Sequence, residues 1–430
     1  FKDVYLYTTV DPSTFGNMYS ILDSTTGALT VRSGNLVTTS NDVVNVTRSG
    51  NILTVSIDLG TDPGGVGSLP GTGALPAWVT TYDLSSTTVT SIAISTGNGN
   101  DTINLGAGLG VPVSIAASNG TDNLNLTGTS GVDTFTIDAS NIDGPGYDIT
   151  GYTNVENTNI NAGDGADVFD MNALSGTRTI FANGEGGNDT VNVTNATFFN
   201  PRFNGGTGAN FFNLNSGDLG YLSDLGASST DMTVNVNAGT FHFHASQRLT
   251  ALNVASGARA DMVANGNNVM RTALLSISGT GILDLQDNDM ILDYTAGSPL
   301  STVESLIASG RNFGAWDGPG ITSTVALNDA DSNTTLGTLE GSDYIAVSGG
   351  STFDAQTIDS TTVVVKYTYY GDSDFSGNVT LDDYANTDGG FLLSSTGWLN
   401  GDFDGSGGSP DLDDYSLIDG AFLTQAGVIL

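Results

Sequence analysis

Gly99-Asn100-Asp101-Thr102-Ile103-Asn104-Leu105 holds a glycine turn, an acid and an alternating strand in one short phrase, and the phrase returns along the chain. It reappears as Gly120-Thr121-Asp122-Asn123-Leu124-Asn125-Leu126, Gly131-Val132-Asp133-Thr134-Phe135-Thr136-Ile137 and Gly165-Ala166-Asp167-Val168-Phe169. Two more copies are Gly187-Asn188-Asp189-Thr190-Val191-Asn192-Val193 and Gly208-Ala209-Asn210-Phe211-Phe212-Asn213-Leu214. The markers 101, 122, 133, 167, 189 and 210 are separated by 21, 11, 34, 22 and 21 residues, near-multiples of eleven. Two short period-2 strands and Gly-rich corners in every ~22 residues are the signature of a solenoid rung. One rung cannot bury its apolar face alone; stacked rungs share a core. The expected fold is therefore all-β, an elongated β-solenoid or β-helix.

The pattern loosens but continues through Met232-Thr233-Val234-Asn235-Val236, Leu252-Asn253-Val254, Leu275-Ser276-Ile277, Ile282-Leu283-Asp284-Leu285 and Met290-Ile291-Leu292. The solenoid is accordingly placed at 96–294. Residues 1–95 form an N-terminal β region, with strands at Val43–Thr47 and Ile52–Ile57 and a Gly/Pro loop from Asp62 to Pro76. Residues 295–370 read as a short helix followed by a β cap or linker. In the helix, Ser298 is the N-cap, Pro299 the first helical position and Gly310 the residue just past the end.

Composition narrows the function. The 430 residues carry 10 Lys plus Arg against 46 Asp plus Glu, a formal charge of −36. Such a field repels nucleic acid phosphates and attracts divalent cations, for which carboxylates and carbonyls are hard ligands. There is no cysteine, hence no disulfide framework and no thiolate site. No apolar run is long enough to cross a bilayer as a helix. The chain opens at Phe1 without an initiator Met or a basic-then-apolar leader, as expected of a secreted protein whose signal peptide has been removed.

Residues 371–430 contain a duplication. Gly371-Asp372-Ser373-Asp374-Phe375-Ser376-Gly377-Asn378-Val379-Thr380-Leu381-Asp382-Asp383-Tyr384 is matched by Gly401-Asp402-Phe403-Asp404-Gly405-Ser406-Gly407 and Leu412-Asp413-Asp414-Tyr415. Counted from Asp372, oxygen side chains fall at loop positions 1, 3, 5, 9 and 12 with glycine at 6, the spacing of an EF-hand-type calcium loop. Asp372, Asp374, Ser376, the Asn378 carbonyl, Thr380 and Asp383 are its candidate Ca2+ ligands. The second loop offers Asp402, Asp404 and Ser406. One extra residue among Gly408, Ser409 and Pro410 leaves Asp413 at position 12 by count and Asp414 there by alignment.

These paired loops, with Asp at position 12, resemble dockerin domains. Residues of about 230–425, including Ala251–Gly257, Asp293–Gly320 and Lys366–Asp372, look like the tail of large dockerin-ended surface proteins of planctomycete bacteria. That resemblance implies secretion and a β-helical stalk and no particular enzymatic activity.

Other features carry more than one reading. Asp101, Asp122, Asp133, Asp167 and Asp189 are turn residues bonding their own backbone or scattered calcium sites. His242 and His244 are a metal pair or an ordinary surface pair. Trp78, Trp316 and Trp398 are carbohydrate platforms or plugs between loop and core. The function expected is a non-enzymatic, extracellular, calcium-stabilised subunit of a cell-surface filament, fibre or layer that assembles head to tail, with the strand Val4–Thr8 suited to strand addition. The alternatives are a polysaccharide-active β-helix enzyme, for which no cluster of acids is apparent, and a component whose dockerin binds a cohesin-like partner.

Overall fold

The fold is described from a computed structural model, for residues 19–33, 41–59, 78–176, 178–199 and 201–429. The strand expected at 4–8 and the loop expected at 62–76 lie outside them. The chain is mostly β and divides into two compact units, residues 1–210 and 211–430.

In the first unit the chain alternates between two sheets, contributing one short strand to each per rung. Strands Thr102–Leu105, Asn123–Thr127, Asn157–Asn161 and Thr179–Asn183 stack parallel and in register in one sheet. Ser91–Ser95 and Pro112–Ala116 stack likewise in the other, as do Thr134–Ile137, Val168–Asn172 and Thr190–Thr194. The period-2 pattern decides the faces. Ile103, Leu105, Leu124, Leu126, Phe135, Ile137, Val191 and Val193 point inward and are buried, and Phe135 stacks on Phe169 one rung away at 5.4 Å between centroids. On the outer face Asn104, Asn125 and Asn159 form an amide ladder, each Nδ2 donating to the Oδ1 of the rung before at 2.7, 2.7 and 2.8 Å.

The interval of 34 has a structural cause. After Thr134–Ile137 the chain makes two antiparallel strands, Ile142–Gly144 and Tyr147–Thr153, and the second pairs parallel with Pro112–Ala116. The rung grows by that insertion without breaking the stack. Pairing also runs across residue 95: Ala28–Arg32 lies parallel to Ser91–Ser95, which continues to Pro112–Ala116, and Asp42–Ser49 lies parallel to Thr102–Leu105. Of the strands expected in the N-terminal region, 43–47 lies within Asp42–Ser49, a rung of the same stack, and 52–57 lies within Ile52–Leu59, which with Trp78–Asp83 closes it as an antiparallel meander.

The corner acids are buried; Asp133 bonds its own turn, its carboxylate accepting from Thr129 N at 2.5 Å and Thr129 Oγ1 at 3.0 Å, while the others reach across rungs. Asp101 Oδ1 accepts the N–H of Asp42 at 2.8 Å and Asp122 Oδ1 that of Asp101 at 2.7 Å; Glu156 closes this column by accepting from Asp122 at 2.8 Å. A second column runs from Asp133 N–H to Asp167 Oδ1, Asp167 N–H to Asp189 Oδ1 and Asp189 N–H to Asn210 Oδ1, at 2.7 to 2.9 Å. Asp101, Asp122, Glu156, Asp167, Asp189 and Asn210 thus each take a donor of the rung before. Room for each corner side chain comes from a small residue five positions earlier, Thr96, Ala117, Gly128, Ala162, Gly184 or Gly205. A Cβ on Gly184 would collide with the Asp189 carboxylate, and one on Gly205 with the Asn210 amide.

The second oxygens of Asp101, Asp122, Asp167 and Asp189 have no hydrogen-bond partner. Burial, helped by neighbouring acids, pushes Asp122 and Asp167 up to about 6. A carboxyl raised on folding adds stability that is full below the ordinary carboxylate range and is lost as pH rises through about 6. Asp167→Asn keeps the acceptor and removes the charge. Its amide can donate to the Gly165 carbonyl, as Asn210 Nδ2 donates to Gly208 at 3.1 Å. The expected result is a gain on the order of 1 kcal/mol at pH 7.5, after allowance for screening, and none at pH 4. Denaturant midpoints at the two pH values measure it, and equal midpoints at pH 7.5 would refute it.

In the second unit the same alternation continues. Ser229–Val236, Gln247–Val254, Val269–Ile277 and Asp289–Asp293 form one parallel run. Gly217–Tyr221, Thr240–Phe243, Arg259–Met262, Ile282–Asp284 and Gly320–Thr322 form the other. Parallel stacking therefore reaches 322 on one side rather than ending near 294. The helix is Leu300–Arg311, with the Ser298 hydroxyl accepting the Leu300 N–H at 3.1 Å. Pro299 stands in the capping position, and the left-handed residue that ends the helix is Asn312. Gly310 is inside the helix because a Cβ there would strike the Ile321 carbonyl. Asp289–Asp293 is covered by the antiparallel strand Thr362–Tyr369, itself paired with Thr334–Glu340. Among the described residues no helix is long and apolar enough to cross a membrane.

Candidate metal centre

The strand Thr362–Tyr369 runs directly into the first acidic loop, and each loop leads into a helix, Leu381–Leu393 and Leu412–Thr424. Thr380 and Asp411 cap these helices. The backbone N–H of each cap donates to an acid three residues on, Thr380 to Asp383 at 2.8 Å and Asp411 to Asp414 at 3.0 Å. The capping boxes set which acid turns back into its loop.

In the first loop Asp372, Asp374 and Asp383 bring one carboxylate oxygen each within 4.8 Å of one another. The Asp372 carboxylate accepts the Gly377 N–H at 3.0 Å and the Ser376 hydroxyl at 3.3 Å, while Asp383 Oδ1 accepts from Ser373 N at 2.8 Å. Gly377 has φ +85°, the sharp turn that position requires. The Ser376 hydroxyl also reaches the Asn378 carbonyl at 3.2 Å, and Thr380 is exposed at the rim. Burial, reinforced by Asp383 and Asp374, pushes Asp372 up to about 7, and burial also raises Asp383.

In the second loop the cluster is Asp402, Asp404 and Asp414, again within 4.8 Å. Asp414 is buried and its Oδ1 accepts from Phe403 N and Asp404 N at 2.8 and 3.1 Å. Asp413 is exposed on the helix and outside the cluster. The extra residue is absorbed before Asp411, so alignment and not counting identifies the twelfth position. Asp411, the equivalent of Thr380, escaped the sequence reading; the offset of 31 shared by Tyr384/Tyr415 and Asp383/Asp414 points to it. Ser406 donates its N–H to Asp404 at 2.8 Å from an exposed position. Burial, with Asp414 and Asp404 close by, pushes Asp402 up to about 6, and its Oδ1 is buried with no hydrogen-bond partner. An orphaned oxygen among three converging carboxylates fits a hard dication.

The two halves also hold each other. Tyr384 donates to Asp419 and Tyr415 to Asp388, both at 2.6 Å, a reciprocal pair across the helices. Trp398 plugs the space between the loops, with Nε1 donating to the Asp372 carbonyl at 2.9 Å and its ring against Phe375 and Phe403. A Cβ on Gly337, in the neighbouring strand, would meet Trp398 and Phe375 at 2.5 and 2.7 Å. The core of the module, Phe375, Val379, Trp398, Phe403 and Ile418, is one cluster with Ile291, Leu339 and Val364 of the sheet. Trp316 is likewise buried, at 4% exposure.

Among the described residues neither His242 nor His244 belongs to a group of side chains that could hold a metal ion. His242 Nδ1 lies 2.6 Å from Asp261 and its Nε2 2.8 Å from Asp218, so the ring bridges three rungs. Arg259 continues the row, 3.3 Å from Asp261 and paired with Asp284, which also accepts from Thr324. This line of charges was missed because its members come from four separate strands. Asp261, then Asp218, raise the His242 pKa against the opposing effect of burial. The stabilisation is present below the ordinary histidine range and lost as pH rises through the raised value. His242→Gln is expected to lower stability by about 1 kcal/mol at pH 6 and by less at pH 9, measured by thermal melts. Equal losses at both would contradict that assignment.

No family model matches the chain, and neither the curated proteins nor the solved structures compared with it include a match.

Proposed function

We propose that this protein is an extracellular structural subunit, a β-solenoid closed by a dockerin-like calcium module, that assembles into a cell-surface filament, fibre or layer. The observation that supports it best is the pair of three-carboxylate clusters, 372/374/383 and 402/404/414, each with two buried acids and one half-buried, in a module whose core is continuous with the capped sheet. Bound Ca2+ would neutralise carboxylates that otherwise repel one another, and would hold both loops against Trp398. Asp372, Asp374, Asp383, Ser376 and the Asn378 carbonyl would hold one ion; Asp402, Asp404 and Asp414 would hold the other. Calcium is favoured over transition metals because every donor is an oxygen. The resemblance to planctomycete surface proteins belongs to the same proposal.

The acids of the second unit argue against the polysaccharide-active alternative. Asp261 and Asp284 are already committed to His242, Arg259 and Thr324. The cohesin-binding alternative has one observation in its favour. Leu381, Leu392, Leu412 and Leu423 are each about four-fifths exposed, and they occur as two equivalent pairs. Electron microscopy of natively isolated protein, with calcium and with chelator, separates the readings. Ordered polymers that loosen in chelator support the proposal; monodisperse particles in calcium that capture a cohesin-like domain would replace it.

A further inference from the structure

The chain has two lysines, Lys2 and Lys366, and all its other basic side chains are arginine or histidine. Lys366 is the one among the described residues, and it is 6% exposed, in a strand with every residue buried. Register places it beside Asp289: Met290 pairs with Val365, so one step on Lys366 stands across from Asp289. Asp289 is 4% exposed, with its Oδ2 3.7 Å from Lys366 Nζ and lacking any hydrogen-bond partner. Its Oδ1 accepts the Tyr367 N–H at 2.9 Å. The exposed Asp354 carboxylate is near enough to help raise the Asp289 carboxyl. Phe353 and Tyr344, their rings 5.3 Å apart, and Ile291 and Val364 make the surroundings apolar.

A buried ion pair of this kind gains little over an apolar pair and is costly to desolvate. Its constituents are also those of an amide. We propose that Lys366 Nζ and Asp289 Cγ condense within the folded chain, so that an isopeptide bond joins the strand Asp289–Asp293 to the strand Thr362–Tyr369 that covers it.

The balance needs no added reagent. The ammonium gives one proton to the Asp289 carboxylate, leaving an amine and a carboxylic acid. The Nζ lone pair attacks Cγ, forming the C–N bond and placing negative charge on Oδ1, where the Tyr367 N–H stabilises it. Asp354 takes a proton from nitrogen and returns it to Oδ2, the Cγ–Oδ2 bond breaks, and one water leaves. Burial already pushes the Asp289 carboxyl up to about 8, so its acid form is populated at neutral pH. Near-attack separations are about 3–3.5 Å between nitrogen and Cγ; the contact present is Nζ to Oδ2 at 3.7 Å, so attack requires the side chains to shift.

Digestion of the purified full chain with trypsin, followed by tandem mass spectrometry, tests this. Trypsin cuts after Arg271 and Arg311, so the bond would join peptide 272–311 to peptide 312–430 through an uncut Lys366. The joined pair, lighter by one water, is the expected result. Two separate peptides, with cleavage after Lys366, would overturn the proposal. Loss of one water without the joined pair would also overturn it, because Asp-Gly sequences such as Asp404-Gly405 lose water locally. Asp289→Asn is expected to give the same joined pair by losing ammonia, and Lys366→Arg to give none. Asp354→Ala should slow joining by about 100-fold or more; joining at the wild-type rate would remove Asp354 from the reaction while leaving the bond.

Discussion

Restoring calcium to the chelated protein is expected to raise the melting temperature of the 211–430 unit by about 10–20 °C. A ligand that binds only the folded state contributes about 2.7 kcal/mol per site at a hundredfold excess over its Kd. Two such sites give about 5 kcal/mol, and a unit of this size gains roughly 2–4 °C per kcal/mol. The effect reaches the whole unit because Trp398, Phe375 and Phe403 share a core with the capping sheet. Asp414→Asn should remove one of two bound ions and about half of the shift. Asp413→Asn should leave both, since Asp413 is exposed and outside the cluster. Scanning calorimetry with a calcium titration reads both quantities, and an identical melt in chelator and in calcium would end the calcium reading.

Gly187→Ala is expected to abolish cooperative unfolding of the first unit, or to lower its stability by more than about 4 kcal/mol. Gly187 has φ +129°, a conformation essentially reserved for glycine. A Cβ there would land on the Gly165 carbonyl oxygen of the neighbouring rung, which is backbone and cannot turn aside. Gly120 and Gly208 meet the carbonyls of Gly99 and Gly187 in the same way. Gly176 is the control: its φ is +89° but nothing lies within 4 Å of a Cβ, so alanine there should cost about 1 kcal/mol. Chemical denaturation of the two variants decides the matter, and similar losses would show that rung contact is not the cause.

Local chemistry and the existence of stacked rungs were legible in the sequence; which strand pairs with which was not. The Gly-x-Asp corners and alternating strands announced themselves because turn, acid and strand are neighbours in the chain. The interval of 34 could not be read as an inserted strand pair, since Tyr147–Thr153 finds its partner at Pro112–Ala116. At the corner acids a sequence displays only the neighbouring turn, which is where Asp133 bonds; the donors to Asp101, Asp122, Asp167 and Asp189 sit a whole rung earlier. Gly310 was read as a helix stop for lack of knowledge that Ile321 would press on it. The three acids that the first loop brings together, Asp372, Asp374 and Asp383, could be named because they lie within one twelve-residue stretch. The choice between Asp413 and Asp414 needed the cap at Asp411. Lys366 and Asp289 meet only because two distant strands are in register.

The corner columns have an arrow. In every pair the donor comes earlier in the chain and the acceptor one rung later, from Asp42 to Asp101 and from Asp167 to Asp189. A chain appearing N-terminus first, whether from a ribosome or through a membrane pore, therefore always carries one rung whose buried N–H still awaits its carboxylate. The growing tip is unfinished by construction, and each arriving rung both completes its predecessor and opens the next vacancy. Glu156 ends the first column, as the acceptor for Asp122, and an amide stands at the end of the second, at Asn210.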